Sequence, residues 1–254
     1  MSTVFVTGAA KNTGYAIAEK FASEGFDVAL STRDQKTSDK VAKELSDIYG
    51  IKAKGYVLDI KYVDKIKEVF EEIKKDFGRL DTFVANSAAL GVGYDILSVT
   101  EQDYDDLMDV NLKGTYFCCQ SAAKIMKDQG GGSIVIISSV HSHETIWGRS
   151  LYTVSKGGLN SLAKSLAIEL GVYKIRANAI ICGAIKTDRW NGLTDEQIAQ
   201  KRANWPIGLE STGEDIANGA YYLGTDLSKT VTGTELTIDS GILVSLLPFN
   251  GGKH

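Results

Sequence analysis

Hydrophobic positions along the chain alternate between two periods. Short apolar or alternating runs at 3–6, 27–31, 53–58, 82–85, 133–137, 176–181 and 235–238 have the length and composition of β-strands. The run at 133–137, Ser-Ile-Val-Ile-Ile, suits a strand buried on both faces of a parallel sheet. Between the runs the period lengthens. A helix is predicted at 15–24, stopped by Gly25, and others at 65–77, 112–126 and 151–170. In the last of these, Leu159, Leu162, Ala163, Leu166, Ala167 and Leu170 recur at three- and four-residue steps and form one apolar stripe. Strand and helix patterns alternate from end to end, which predicts one α/β domain over 1–254, a doubly wound parallel sheet of the Rossmann-like kind. No internal repeat or low-complexity linker interrupts it, and the glycines at 130–132 read as a loop entering a strand.

Composition adds mainly exclusions. A chain of 254 residues that is 43% hydrophobic can bury one large core. A formal net charge of -4 implies neither a nucleic-acid nor an anionic-membrane partner. No apolar run is long enough to span a bilayer. The first strand begins almost at Met1, leaving no room for a secretory leader, so a cytoplasmic location is expected. Cys118, Cys119 and Cys182 are odd in number and lack metal-ligand spacing, so reduced, partly buried thiols and no structural metal are expected.

Three features carry candidate chemistry. After the first strand come Thr7, Gly8, Lys11, Asn12, Thr13 and Gly14, and then a helix. Strand, glycine turn and helix start make a phosphate cradle, because free backbone N–H groups and the positive helix end point at an anion. A plain structural βα turn would look the same. Asn12 stands where a glycine would be easiest, and asparagine tolerates positive φ better than most residues. Tyr152 and Lys156 are one helical turn apart on the same face. A free phenol titrates near about 10, and an ammonium about 4 Å away contributes about 4 kcal/mol at an effective dielectric of 20, enough to make tyrosine a proton donor and acceptor at neutral pH. An ordinary amphipathic pair has the same spacing. Ser139 lies just past the strand at 133–137, where ligand crevices of open α/β sheets form.

Taken together, Thr7, Gly8 and Gly14, Asp59 and Ile60 after the third strand, Val84-Ala85-Asn86-Ser87-Ala88 after the fourth, Asn111, Ser139, Tyr152, Lys156 and the stretch at 179–187 resemble the short-chain dehydrogenase/reductase family. The resemblance covers nearly the whole chain. It implies a tetrad of Asn111, Ser139, Tyr152 and Lys156. The tyrosine is then general acid or base, the serine orients the substrate oxygen, the lysine holds the nicotinamide ribose and lowers the tyrosine pKa, and Asn111 anchors a water. Cofactor contacts are implied at Gly8, Lys11, Asn12, Thr13, Gly14, Arg33, Asp59, Ile60, Asn86, Tyr152, Lys156, Ile185 and Thr187, with Thr187 and the Ile185 backbone at the carboxamide. The chain departs from the family pattern at Asn12, at Ala85 and its neighbours, and at Cys182 in place of proline; none of these removes a proton-transfer group. Asn86 reads as packing beside the cofactor. Similar proteins pair through helices at 112–126 and 152–170, so a homotetramer is implied, or a dimer, with the apolar segment 241–249 joining another subunit.

About 20 residues beyond the glycine turn, an NAD-preferring protein commonly has an acidic residue. Thr32 is neutral, Arg33 follows it and Lys11 lies in the turn. Two cations and no carboxylate suit a 2′-phosphate, so NADP(H) is the expected cofactor. Asp34 could pair with Arg33 and weaken that preference.

Substrate contacts are expected from His141, Trp147 and Trp190, and His143 could also hydrogen-bond a polar substrate. Loop surface for the histidines and packing for Trp147, Trp190 and Trp205 are the alternatives. The stretch at about 187–206 is long enough to close as a lid. The leading function is an NADP(H)-dependent oxidoreductase interconverting a ketone and a secondary alcohol. A 3-oxoacyl group on acyl carrier protein, a sugar or polyol, and a steroid all remain open as substrates, although the lack of a basic patch weighs against an acidic carrier protein. A non-catalytic NADP-binding regulatory protein would be marked by loss of a tetrad residue. A halohydrin dehalogenase-like offshoot would replace the cradle and usually the lysine, yet Gly8 and Lys156 are present.

Overall fold

In the computed structural model, which describes residues 1–245, seven strands form one sheet, all parallel, in the order β3-β2-β1-β4-β5-β6-β7. They are β1 (Thr3–Thr7), β2 (Asp27–Thr32), β3 (Ala53–Val57), β4 (Thr82–Ala85), β5 (Gly132–Ile137), β6 (Ile175–Cys182) and β7 (Glu235–Ile238). Each lies within a residue or so of its hydrophobic run. The helices are α1 (Asn12–Ser23), α2 (Gln35–Tyr49), α3 (Val63–Phe77), α4 (Glu101–Met108), α5 (Thr115–Gln129), α6 (Ser150–Leu170), α7 (Asp195–Arg202) and α8 (Gly213–Gly224).

Successive side chains of a strand point to opposite faces, and the core divides accordingly. Phe5, Ala29 and Phe83 join Ile66 and Phe70 of α3, Cys119 of α5 and Leu159 of α6 on one face. Val4, Val6, Val28 and Val84 join Ile17 and Phe21 of α1, Leu45 of α2 and Ile216 of α8 on the other. Phe5, Phe70 and Phe83 pack with ring centroids 5.1, 5.6 and 5.4 Å apart. Burial on both faces explains why the central strands are continuously apolar rather than alternating. The strand order reverses direction between β1 and β4, so the chain leaves their carboxyl ends to opposite sides and a crevice opens there.

Two stretches beyond the glycine turn differ from the sequence expectation. The helix predicted at 112–126 begins later, at Thr115, and residues Asp109–Gly114 form a π-helical turn between α4 and α5. Its cause is tertiary: the Asn111 side chain is pulled to the backbone of Ala89 in the loop after β4. A Cβ on Gly114 would also meet Ile60 O at 2.4 Å. π-turns of this kind recur at functional sites. The stretch at 187–206 is not a plain loop, since it holds a 3-10 turn (Asp188–Trp190) and α7. Thr194 caps α7, with reciprocal bonds to Gln197.

Candidate active site

The turn after β1 is shaped by backbone requirements. Gly8 has φ +69 and Asn12 has φ +51, so asparagine occupies the left-handed position that its short polar side chain tolerates. Gly14 has no room for a side chain, because a Cβ there would lie 2.2 Å from Gly8 O and 2.6 Å from Asn86 Nδ2. Asn86 Nδ2 donates to Thr7 O at 3.0 Å and Gly8 O at 3.2 Å, while Thr7 Oγ1 accepts from the N–H groups of Asn86 and Ser87. Asn86 thus clamps the turn to the end of β4. Helix α1 starts at Asn12, three residues before the predicted position, which brings its positive end into the turn itself.

Two adjoining cavities follow the crevice. One, about 470 Å³, is lined by Gly8, Lys11, Thr32, Arg33, Asp59 and Ile60 among others. The second, about 310 Å³, brings Ser139, Tyr152, Lys156, Cys182, Ile185 and Thr187 together with Asn12, Thr13 and Gly14 of the turn. Residues separated by more than 170 positions in the chain therefore share one wall. A larger groove lies at the opposite ends of the strands, around Arg79, Arg176 and Lys229. Arg176 there is held by the carbonyls of Leu223, Thr225 and Val231, and none of the tetrad borders that groove.

Asn111, Ser139, Tyr152 and Lys156 are all buried, with Lys156 only 3% exposed. Lys156 Nζ donates to Ile137 O at 2.9 Å and sits 5.6 Å from the centroid of the Tyr152 ring. Ser139, two residues past β5, lines the same cavity as the Tyr152 phenol and draws its pKa down, and its Oγ accepts from His141 N at 3.2 Å. Asn111 Oδ1 accepts from Ala89 N at 2.7 Å, and its Nδ2 donates to Ala89 O and to Ser155 Oγ. Ser155 Oγ in turn donates to Tyr152 O at 2.8 Å. The asparagine thereby ties the loop after β4 to the first turn of α6, where the tyrosine stands.

The electrostatics correct one expectation. Lowering of the Tyr152 pKa by Lys156 was expected, yet burial is the largest influence and holds the phenol above its usual range, with the Ser139 hydrogen bond opposing it. Lys156 is pushed down to about 8, again by burial. Both groups stand in one low-dielectric wall, and burial shifts each toward its neutral form. The ammonium is consequently a weak holder of its own proton.

Other candidates are dispersed. The His141 ring packs edge-on against Tyr152 at 5.8 Å, and burial lowers its pKa. His143 instead faces away from the cavity, with Nε2 2.6 Å from Glu235 Oε2, beside Lys164 and Asn160. Its place after the short 3-10 turn at Val140–Ser142 rotates it off the His141 side. Trp147 is 82% exposed and lines neither crevice cavity. Trp190 and Trp205 pack on each other at 6.0 Å, and Trp205 is buried, so this pair holds the 187–206 stretch together. Lys11 Nζ pairs with Asp188 Oδ2 at 2.6 Å across the crevice. Asp34 does not pair with Arg33, because its carboxylate caps α2 through Thr37 N and Oγ1. Among the described residues, the Arg33 guanidinium has no ion-pair or hydrogen-bond partner. Sequence reasoning missed Arg149 and Arg189. Arg149 Cζ lies 5.7 Å from the Tyr152 centroid and Arg189 lines the cavity of Tyr152 and Lys156. The signal for Arg149 was its position three residues before Tyr152, at the mouth of the helix that carries the tyrosine. Among the described residues, no group of three metal-ligating side chains occurs, and no helix is long and apolar enough to cross a membrane.

The Thr187 Oγ1 atom is buried without a hydrogen-bond partner among the described residues. It lies in the cavity of Tyr152 and Lys156, so a polar ligand group is what would complete it. A nicotinamide carboxamide fits that requirement. Residues 8–243 match the family model described as enoyl-(acyl carrier protein) reductase. The chain is 34% identical to a 3alpha-hydroxysteroid dehydrogenase of Mediterraneibacter gnavus, over 92% of this chain and 94% of that one. It is 30% identical to a protein of Yarrowia lipolytica named "Probable NADP-dependent mannitol dehydrogenase", covering 93% of this chain and 85% of the other. A solved short-chain alcohol dehydrogenase structure from Sinorhizobium meliloti superposes with a TM-score of 0.90 at 30% identity, over 96% of this chain and 97% of that one. With the parallel sheet, the glycine turn and the buried tyrosine–lysine wall, these matches establish that the chain belongs to the short-chain dehydrogenase/reductase family, oxidoreductases of carbonyl and alcohol groups.

Proposed function

We propose that the protein is an NADP(H)-dependent reductase that converts a ketone to a secondary alcohol and back, with Tyr152 as the proton donor and acceptor. The observation that carries this is the shared burial of Ser139, Tyr152 and Lys156 at the carboxyl ends of β5 and β6, in one cavity with the glycine turn. When bound, a nicotinamide supplies or removes the hydride at the reacting carbon. The Ser139 hydroxyl holds the substrate oxygen against the phenol, and Tyr152 passes its proton to that oxygen in reduction. Lys156, whose own proton is loosened by burial, stands behind the phenol to restore it. Asn111 positions the tyrosine by fixing Ala89 to Ser155.

Support for NADP(H) over NAD(H) comes from Arg33, exposed at the end of β2 and free of Asp34, where a 2′-phosphate meets a guanidinium fork. Lys11 is a weaker second cation because Asp188 already engages it. Gly8, Asn12, Thr13 and Gly14 would hold the pyrophosphate, Asp59 and Ile60 the adenine side, and Ile185 and Thr187 the carboxamide. The segment at 187–206 acts as the lid, fastened to the turn by Lys11 and Asp188. Exposed Tyr116 on α5 and Val154 and Ile168 on α6 favour pairing of copies, so a homotetramer is proposed; gel filtration giving only monomer would refute it. The expected contribution of 246–249 to that pairing falls outside the described residues. Buried, unpaired Cys118, Cys119 and Cys182 suit a reducing cytoplasm. The experiment that tests the reading follows NADPH and NADH consumption over keto sugars, 3-oxo thioesters, steroids and small ketones. Reduction of at least one class, with NADPH preferred, is expected; no consumption with any, or preference for NADH, contradicts it.

A further inference from the structure

Among the described residues, the cavity of Tyr152 is lined by Lys11, Lys156 and Arg189 and by no carboxylate. Lys11 is neutralised by Asp188, and Lys156 is turned to a backbone carbonyl. Arg189 remains, its guanidinium without an ion pair or hydrogen bond to the described residues. A second guanidinium, outside that lining, stands beside the Tyr152 ring. Arg149, half-buried, uses Nη1 on Leu90 O at 2.7 Å and Gly91 O at 3.3 Å. Its Nη2 and Nε carry no hydrogen bond to the described residues, and no acid pairs with it. Its Cζ sits 5.7 Å from the Tyr152 centroid, and the His141 ring touches the same tyrosine. A partly buried guanidinium with unused donors and no counter-ion is costly unless a ligand completes it.

From this arrangement we infer that the substrate carries an anionic group, a carboxylate or a phosphate, beside the carbonyl that is reduced, and that Arg149 and Arg189 hold it. The inference rests on the proposed reductase reading and narrows its substrate to anionic ketones such as 3-oxo acids. Both arginines also lower the proton affinity of the Tyr152 phenol, against the burial that raises it. The anionic group takes no part in the redox change; it fixes which end of the ketone faces the two guanidiniums. No basic surface patch is needed, because one fork-shaped donor lining the cavity and a second beside the Tyr152 ring suffice.

The test compares acetoacetate with methyl acetoacetate, and dihydroxyacetone phosphate with dihydroxyacetone, in wild type, Arg149→Gln, Arg149→Lys and Arg189→Gln. Calorimetric binding of the same four compounds is measured alongside kcat/KM. One anionic member is expected to exceed its neutral counterpart by about 30-fold, and whichever pair shows this identifies carboxylate or phosphate. Each glutamine variant should shrink that ratio about tenfold, with Arg149→Lys recovering part of it. Because Arg149 also supports the 90–91 loop, the exposed Arg189 guards against a mere folding defect. Ratios near one in wild type, or ratios unchanged in both glutamine variants, overturn the inference. Turnover of none of the four compounds counts against the reductase reading instead, and calorimetry then decides the anion by itself: tighter binding of the charged member upholds it, equal binding overturns it.

Discussion

At the end of the crevice that holds Tyr152, the tetrad side chains are all buried, whereas at the end near β2 the candidate phosphate contact, Arg33, stands exposed with no partner among the described residues. The first end is built from α6, β5 and the π-turn, and its groups hold each other in place through Asn111, Ser155 and Ile137. The second is a rim of side chains on a strand end. Proton transfer needs fixed geometry and a low dielectric, so its groups must be desolvated and their pKa values move with burial. Cofactor choice needs only a charge that can meet a phosphate, and solvent can surround it until then. A substitution at the buried end should therefore alter stability and pH response, and one at the rim should alter affinity alone.

The largest stability effect is expected at Lys156. Its pKa is pushed down to about 8 in the folded protein, against about 10.4 for an unfolded lysine. Between these values the unfolded chain binds more protons, so stability rises with pH across that window, by about 3 kcal/mol in total. Lys156→Met should abolish the rise, seen as denaturant midpoints of the two proteins diverging from pH 8 to 10.5; a constant difference would contradict the buried ammonium. The junction between the two ends comes next. Gly14→Ala forces a methyl against Gly8 O and Asn86, and overpacking of this kind costs about 1–3 kcal/mol. Melting temperature and NADPH affinity should fall together, while Gly171→Ala, whose Cβ meets nothing within 4 Å, should leave both nearly unchanged. The smallest effect is at the rim: Arg33→Ala should raise the NADPH dissociation constant about tenfold, one charge-assisted contact, with NADH binding and melting temperature unaffected. Equal losses for both cofactors would mean that another residue discriminates between them.

The same contrast explains what could be read without coordinates. Runs such as Ser-Ile-Val-Ile-Ile at 133–137 point to buried strands because burial on both faces leaves no polar alternative, and all seven strands appear where such runs lie. Tyr152 and Lys156 were legible because helical spacing alone puts them on one face. The π-turn was not, since a 3.6-residue period continues through 112–114 and only the tertiary pull of Ala89 on Asn111 interrupts it. Nor was the order of influences on Tyr152, because desolvation depends on packing from β5, β6 and the 90–91 loop that no local pattern encodes. His141 and His143 are two residues apart in sequence, yet one meets Tyr152 and the other a glutamate beyond it. Arg149 went unnoticed because an arginine at a helix start reads as surface charge.

The central claim, that the Tyr152 phenol carries the proton while the rest of the crevice holds the cofactor, is tested most directly by Tyr152→Phe assayed for both NADPH binding and turnover. The account predicts NADPH affinity within about twofold of wild type and turnover lowered by about 10² to 10⁴. Turnover close to wild type would contradict it.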